Sequence, residues 1–381
     1  MKKTHALAMA ISALSAGLLV SCVKPNDNQA ADSEQQKVSD NKAETQKATA
    51  TADTEAVKIT PVELSADTKK TYLTHVADDI VIPAYAKSAE QSLRLHDLTK
   101  THCGSAPVTG DKLDELRAAW LELAKSWSAA EMINFGPATK SMSNLYINYY
   151  PDERGLVHQG VSDLIRANPN LTPEQLADES AVVQGVPGLE EALFANDRLD
   201  SGECAYVMSA SSALNQRLTA IEKNWQENKT TLLAIDNVDN NQGLNKWFNS
   251  LLAMIETMKS SAIEQPLGLS GKAKGHLPAA TAKQSREIVS AKLAVLNQVL
   301  TDPVFTAMLG TKGESEVGNK LSTALADTTT LLAQLPEDIG TADKANQQKL
   351  LEDLTTITRV IKRELMPTLG VRVGFNSTDG D

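Results

Sequence analysis

The chain has 381 residues, a formal net charge of −11 at pH 7, 41% hydrophobic residues and 4% aromatic ones. An acidic balance with no basic patch interleaved with aromatics excludes nucleic acid as a partner. With 20 glycines and 14 prolines, below average usage, and abundant Leu and Ala, the composition favours helices over turn-rich sheets.

Met1-Lys2-Lys3 and the apolar stretch running to Val20 have the basic start and short hydrophobic core of an export signal. Leu19-Val20-Ser21-Cys22 then matches a bacterial lipobox, in which cleavage precedes a cysteine that receives lipid, and the apolar run is too short for an ordinary membrane span. Residues 1–21 are therefore expected to be a lipoprotein signal peptide and Cys22 the lipidation site. Val23 and Lys24, in place of an aspartate directly after the cysteine, fit sorting to the outer membrane of Gram-negative bacteria. The expected location is thus the cell envelope, lipid-anchored and facing the periplasm. The following segment is free of aromatics and dominated by Ala, Thr, Asp, Glu, Gln and Lys, so it cannot bury enough apolar surface to offset its ordering entropy. Residues 22–62 read as a flexible tether.

The remaining body is longer than one compact core usually holds. Helices are expected at Thr60–Leu98, at the three-four spaced Leu113, Leu116, Trp120, Leu123, Trp127 and Ala130, and at Asn144–Ala167, Pro173–Val183 and Ala205–Asn228. A break near Asp236–Gly243 precedes further helices at Asn245–Ser261, Ala282–Leu300, Glu316–Leu335 and through Leu350, Leu354, Ile357, Ile361 and Leu365. No sustained alternation bounded by hairpin turns occurs. The expected fold is all-α, with two helical bundles side by side, residues 63–235 and 236–381.

Within the body, Cys103 and Cys204 form an even pair in an oxidising compartment, a disulfide candidate. Zincin, Cys-x-x-Cys, nucleophile-elbow and EF-hand motifs do not occur. Gly268-Leu269-Ser270-Gly271-Lys272-Ala273 mimics a phosphate loop, but its glycine spacing is short and no strand precedes it, so it reads as a connector. His75 with Asp78 and Asp79, and His96 with His102, are the histidine groupings to test as metal ligands; on a helix, such groups are more often solvated ion pairs. Trp120 and Trp127 lie on a bundle seam and read as core, with indole N–H groups able to wall a pocket.

Glu190 is the residue that fits worst. Pro187 suits the first turn of a helix, and counting from Val186 the inward face is Leu189, Glu190, Leu193 and Phe194, which leaves Glu191 pointing away. A carboxylate in an apolar stripe requires a cation, a metal or several donors, whether for structure or for binding. Gly185 and Gly188 keep bulk away from the helix start. Asp152 and Arg154 follow Tyr149-Tyr150-Pro151 and are either a turn pair or charges set opposite Glu190.

From about Leu64 to Asp381 the chain resembles the imelysin family. The resemblance rests on Ala118-Ala119-Trp120 with Trp127, Asn134-Phe135-Gly136-Pro137, Ile147-Asn148-Tyr149-Tyr150-Pro151-Asp152, Gly185 to Phe194, and the ending Leu369 to Asp381. It implies two helical bundles and a role in bacterial iron uptake, with iron or another metal ion as a candidate cofactor and envelope iron-uptake proteins as partners. It also implies a Gly-x-His-x-x-Glu motif, which falls on Gly185, Pro187 and Glu190. The histidine is proline here, which removes a metal ligand or base. The reading is a non-enzymatic lipoprotein that binds a ligand or metal, with Glu190 as the anion that receives it. A metal-dependent peptidase and a membrane-associated scaffold are the alternatives.

Overall fold

The computed structural model describes residue 59 and residues 61–374, the side chains of 311–315 excepted. The expected signal peptide, Cys22, nearly all of the expected tether and the last seven residues lie outside the described residues. The described residues all belong to one compact unit.

The described residues contain no β-strand, only one isolated antiparallel bridge between Val108 and Leu199. The helices, in chain order, are α1 (Ala66–His75), α2 (Ile82–His102), α3 (Asp111–Ala130), α4 (Ser143–Ile147), α5 (Leu156–Ala167), α6 (Pro173–Ala177), α7 (Gly185–Phe194), α8 (Ser201–Leu232), α9 (Gln242–Lys259), α10 (Gln265–Leu267), α11 (Ser285–Leu300), α12 (Pro303–Gly313), α13 (Asn319–Gln334), α14 (Lys344–Val360) and α15 (Met366–Thr368). No single helix among the described residues is long and apolar enough to cross a membrane.

Three joints share one cause. Val76–Val81, Ser260–Glu264 and Ile361–Leu365 are π turns, and Pro83, Pro266 and Pro367 each follow with one residue between. A proline offers no N–H and its ring crowds the carbonyl four residues back, so the helix widens just before it. The residue preceding each proline donates five residues back: Ile82 to Ala77, Gln265 to Ser260 and Met366 to Ile361. The helix expected at Thr60–Leu98 starts only at Ala66, after the Ser65 cap, and both it and the one through Leu350–Leu365 are continuous but carry an extra residue in one turn.

Asn144–Ala167 divides into α4 and α5 around Pro151, whose peptide bond with Tyr150 is cis. Beyond α6, the stretch expected to be helical ends in a separate 3-10 turn, Ala181–Val183. α8 begins four residues earlier than expected because Asp200 and Glu203 form a reciprocal capping box. α12 was not expected at all.

Packing falls into two groups. α2, α3, α7 and α8 pack together with α5 and α6, and α9, α11, α13 and α14 form the second group, with α3 against α11 joining the two. α1 belongs with the second group: Tyr72 stacks on Phe248 at 6.0 Å, meets Phe305 at a tilt with the same centroid distance, and accepts a 2.9 Å bond from Trp247 Nε1. Cys103, at the end of α2, and Cys204, in the first turn of α8, form a disulfide with their Cα atoms 5.5 Å apart.

Candidate functional site

α7 is enclosed by α3, α5 and α8, so nearly every side is buried. Its start is shaped by glycine: Gly185 has φ +72°, and a Cβ there would lie 2.2 Å from the Ile147 carbonyl oxygen. A Cβ at Gly188 would meet the Tyr206 hydroxyl at 2.3 Å, which instead donates to the Val183 carbonyl at 3.0 Å. Pro187 sits in the first turn, where a missing N–H costs nothing. Trp120 donates from Nε1 to the Val186 carbonyl at 3.0 Å and meets Phe194 edge-on at 5.1 Å, so it anchors α7 to α3 as a core residue.

Glu190 is 8% exposed. Its Oε1 accepts the backbone N–H groups of Thr281 at 2.8 Å and Ala282 at 3.0 Å, from the loop that leads into α11. Burial pushes its carboxyl up to about 7, against the lowering effect of those two donors, with the nearby Glu191 charge adding to the rise. Two donors on one oxygen leave Oε2 without a hydrogen bond from the described residues. Glu191 does not point away. It is buried, accepts His158 Nδ1 at 2.8 Å and lies 3.4 Å from the Thr281 hydroxyl, because α7 has neighbours on both faces.

A cavity of about 40 Å³, room for an ion or a water or two, is lined by Glu190, Trp127, Glu131, Tyr150, His276 and Lys292 among others. Trp127 Nε1 is buried there with no acceptor. Lys292, 4% exposed, places Nζ 2.6 Å from Glu131 Oε2, while Asn148 Nδ2 donates to Oε1 at 2.7 Å. The Tyr150 hydroxyl lies 3.0 Å from the carbonyls of both Ser261 and His276, and burial, then the charges of Glu131 and Glu190, raise its pKa far above the usual phenol value.

Asp152 and Arg154 do not face Glu190. Asp152 is buried and caps the start of α5, accepting Val157 N–H at 2.8 Å and Arg154 N–H at 3.3 Å; the Arg154 side chain is exposed. The cleft's cation is Lys292 instead. Its signal was present in the sequence: Ile288, Val289, Lys292, Leu293 and Leu296 place a lysine in a helical apolar stripe. Glu131, at the C-cap of α3, was equally readable as an acid at the helix end that disfavours one.

The histidine groupings separate. His75 joins Asp79 at 2.8 Å and Asp302 at 3.1 Å, while Asp78 pairs with Lys229. His96 meets Ser211 at 3.2 Å and His102 meets Glu115 at 2.7 Å. Among the described residues no group of three or more His, Cys, Asp or Glu side chains is arranged to hold a metal. The donor set of the cleft does not fit one either: an ammonium already neutralises Glu131, backbone donors occupy one Glu190 oxygen, and Pro187 offers no ligand. Gly268 to Ala273 lies beyond α10 as a connector.

The family model described as Imelysin matches residues 81–362. An imelysin-like protein from Psychrobacter arcticum 273-4 is similar, with 70% sequence identity and a TM-score of 0.82 over 83% of this chain and 100% of that one. A protein from Parabacteroides distasonis ATCC 8503, described as an iron-regulated protein A precursor, shares the fold at a TM-score of 0.64 and 12% identity, over 80% of this chain and 96% of that one. Curated proteins give no significant match.

Proposed function

Since the chain belongs to the imelysin family, we propose that it is an exported lipoprotein of the bacterial envelope that binds a ligand in iron uptake, without catalysis, through the Glu190 cleft. The reading is carried by one observation: Glu190 is fixed through Oε1 while Oε2 is left open, in a cavity also walled by the unpartnered Trp127 Nε1. A carboxylate oxygen facing the cavity and a buried indole donor, both held by packed helices, are suited to a small polar group of a ligand. With its pKa near 7, Glu190 can meet that group either as a carboxylate or as a neutral acid. The iron connection comes from the family resemblance and from the description of the Parabacteroides protein; export and lipid attachment come from the Cys22 segment.

The test is iron-limited growth of a strain lacking the gene, complemented with wild type, Glu190→Gln or the surface control Glu122→Gln. Glu190→Gln removes the charge and keeps the shape, so growth should fall while the circular dichroism spectrum and thermal unfolding stay near wild type. Equal growth with both variants overturns the assignment. Peptide hydrolysis by the purified protein, abolished by a chelator and by Glu190→Gln, would establish the peptidase alternative. Retained growth with Glu190→Gln together with capture of a membrane receptor would favour the scaffold.

A further inference from the structure

A second concavity, of about 550 Å³, lies between the segment leading into α4, α6 and the middle of α8. Its walls include Pro137, Pro173 and Ala220, and it carries two cations, Lys140 and Arg217. Arg217 is half-buried and sits over the Tyr146 ring, its Cζ 4.7 Å from the centroid. Among the described residues neither cation forms an ion pair with a carboxylate, in a chain whose net charge is −11. Glu174, the one acid in the lining, is engaged at the first turn of α6, where its own amide and the Thr172 hydroxyl hold its carboxyl below the usual range. Burial lowers the pKa of the Arg217 guanidinium, the signature of a cation that has lost water without gaining an anion.

An arginine fork stacked on an aromatic ring is pre-organised for bidentate recognition of an oxyanion. A concavity of this size greatly exceeds one inorganic phosphate, and its proline and alanine walls suit a carbon skeleton. We propose that this groove binds a small organic polycarboxylate, with Arg217 gripping one carboxylate and Lys140 a second. The site shares none of the cavity-lining residues of the Glu190 cleft.

Isothermal titration of the mature protein with citrate tests this, alongside Arg217→Gln, Lys140→Gln and Tyr146→Phe, with inorganic phosphate as the competing probe. Citrate should bind saturably, and Arg217→Gln should weaken it about tenfold or more, the loss expected for one charge-assisted bidentate contact. Lys140→Gln should weaken it several-fold, whereas Tyr146→Phe, which keeps the ring under the guanidinium, should leave it unchanged. If Arg217→Gln unfolds, Arg217→Lys takes its place, keeping the charge and losing the fork, with a smaller loss expected. Absence of saturable citrate binding, undiminished binding in the arginine variant, or phosphate binding as tight as citrate overturns the proposal.

Discussion

Lys292 on α11 holds its ammonium 2.6 Å from the Glu131 carboxylate at the end of α3, an ion pair that bridges the two packing groups of the body. Removing one partner leaves the other charge desolvated, which costs more than the pair itself contributes. Lys292→Met and Glu131→Gln should each lower unfolding free energy in urea by about 2 to 4 kcal/mol, the smaller figure for Lys292→Met because the Glu131 it leaves unpaired is partly exposed. The double variant should recover much of the loss. Additive losses in the double variant would show that the two residues are not coupled.

Glu190 makes stability depend on pH in the direction opposite to a salt-bridged acid. Its folded pKa of about 7 lies above its ordinary 4.5, so between those values the native state binds more protons than the unfolded chain. Stability from this group is fully present below about 4.5 and is lost as pH rises through 7, by an amount on the order of 3 kcal/mol. Urea titrations at several pH values should show this downward slope in wild type and a flatter one in Glu190→Gln. Parallel curves would mean that Glu190 keeps an ordinary pKa.

Gly185 has both a positive φ and a backbone carbonyl 2.2 Å from where a Cβ would sit. Gly185→Ala should therefore cost about 2 kcal/mol or more, through left-handed strain and displacement of the Ile147 segment. Gly155 is also at positive φ but has open space around it, so Gly155→Ala should cost only the conformational part, about 1 kcal/mol. Thermal unfolding of the two variants separates clash from strain.

On the proposed lipoprotein reading, Cys22→Ser should yield an unprocessed or misplaced precursor, because the cysteine of a lipobox serves as both cleavage marker and acyl acceptor. Mass spectrometry of the native N-terminus checks it, and an unmodified Cys22 there would remove lipid as the anchor.

Glu190 was legible because an acid interrupts a three-four apolar stripe, and that signal survives whatever α7 packs against. Glu191 was not, because periodicity assumes a solvent side, and α7 packs against α3, α5 and α8. Lys292, by contrast, carried the same kind of signal as Glu190, a charge interrupting the apolar stripe of Ile288, Val289, Leu293 and Leu296. The all-helical architecture followed from spacing and composition, whereas α12 was lost because only Thr301 and Asp302 separate it from α11. Asp302 starts it by accepting the Val304 and Phe305 amides at 2.7 and 3.2 Å, a cap easily mistaken for a continuing helix end. The partner of Glu190 could not be read from local sequence, since its donors are loop amides about ninety positions away and amides carry no side-chain signature.

The joint before Pro83 has a mechanical side. One extra residue in a turn rotates the downstream helix by roughly 100° about its axis, so the two ends of one rod present their apolar stripes in different directions. Tyr72 and Leu73 engage the aromatic cluster of α9 and α12, while Tyr85, Ala89 and Leu95 turn toward α3 and α8. The rod is thus a crossbeam shared by both halves, built from the first residues of the folded body rather than from the loop that joins the halves in sequence. Swinging one half against the other about residues 233–241 would have to bend that beam or strip one of its ends from its seat. Any opening of the Glu190 cleft is accordingly expected to come from side chains and from the loop carrying Thr281, with the helices holding their places.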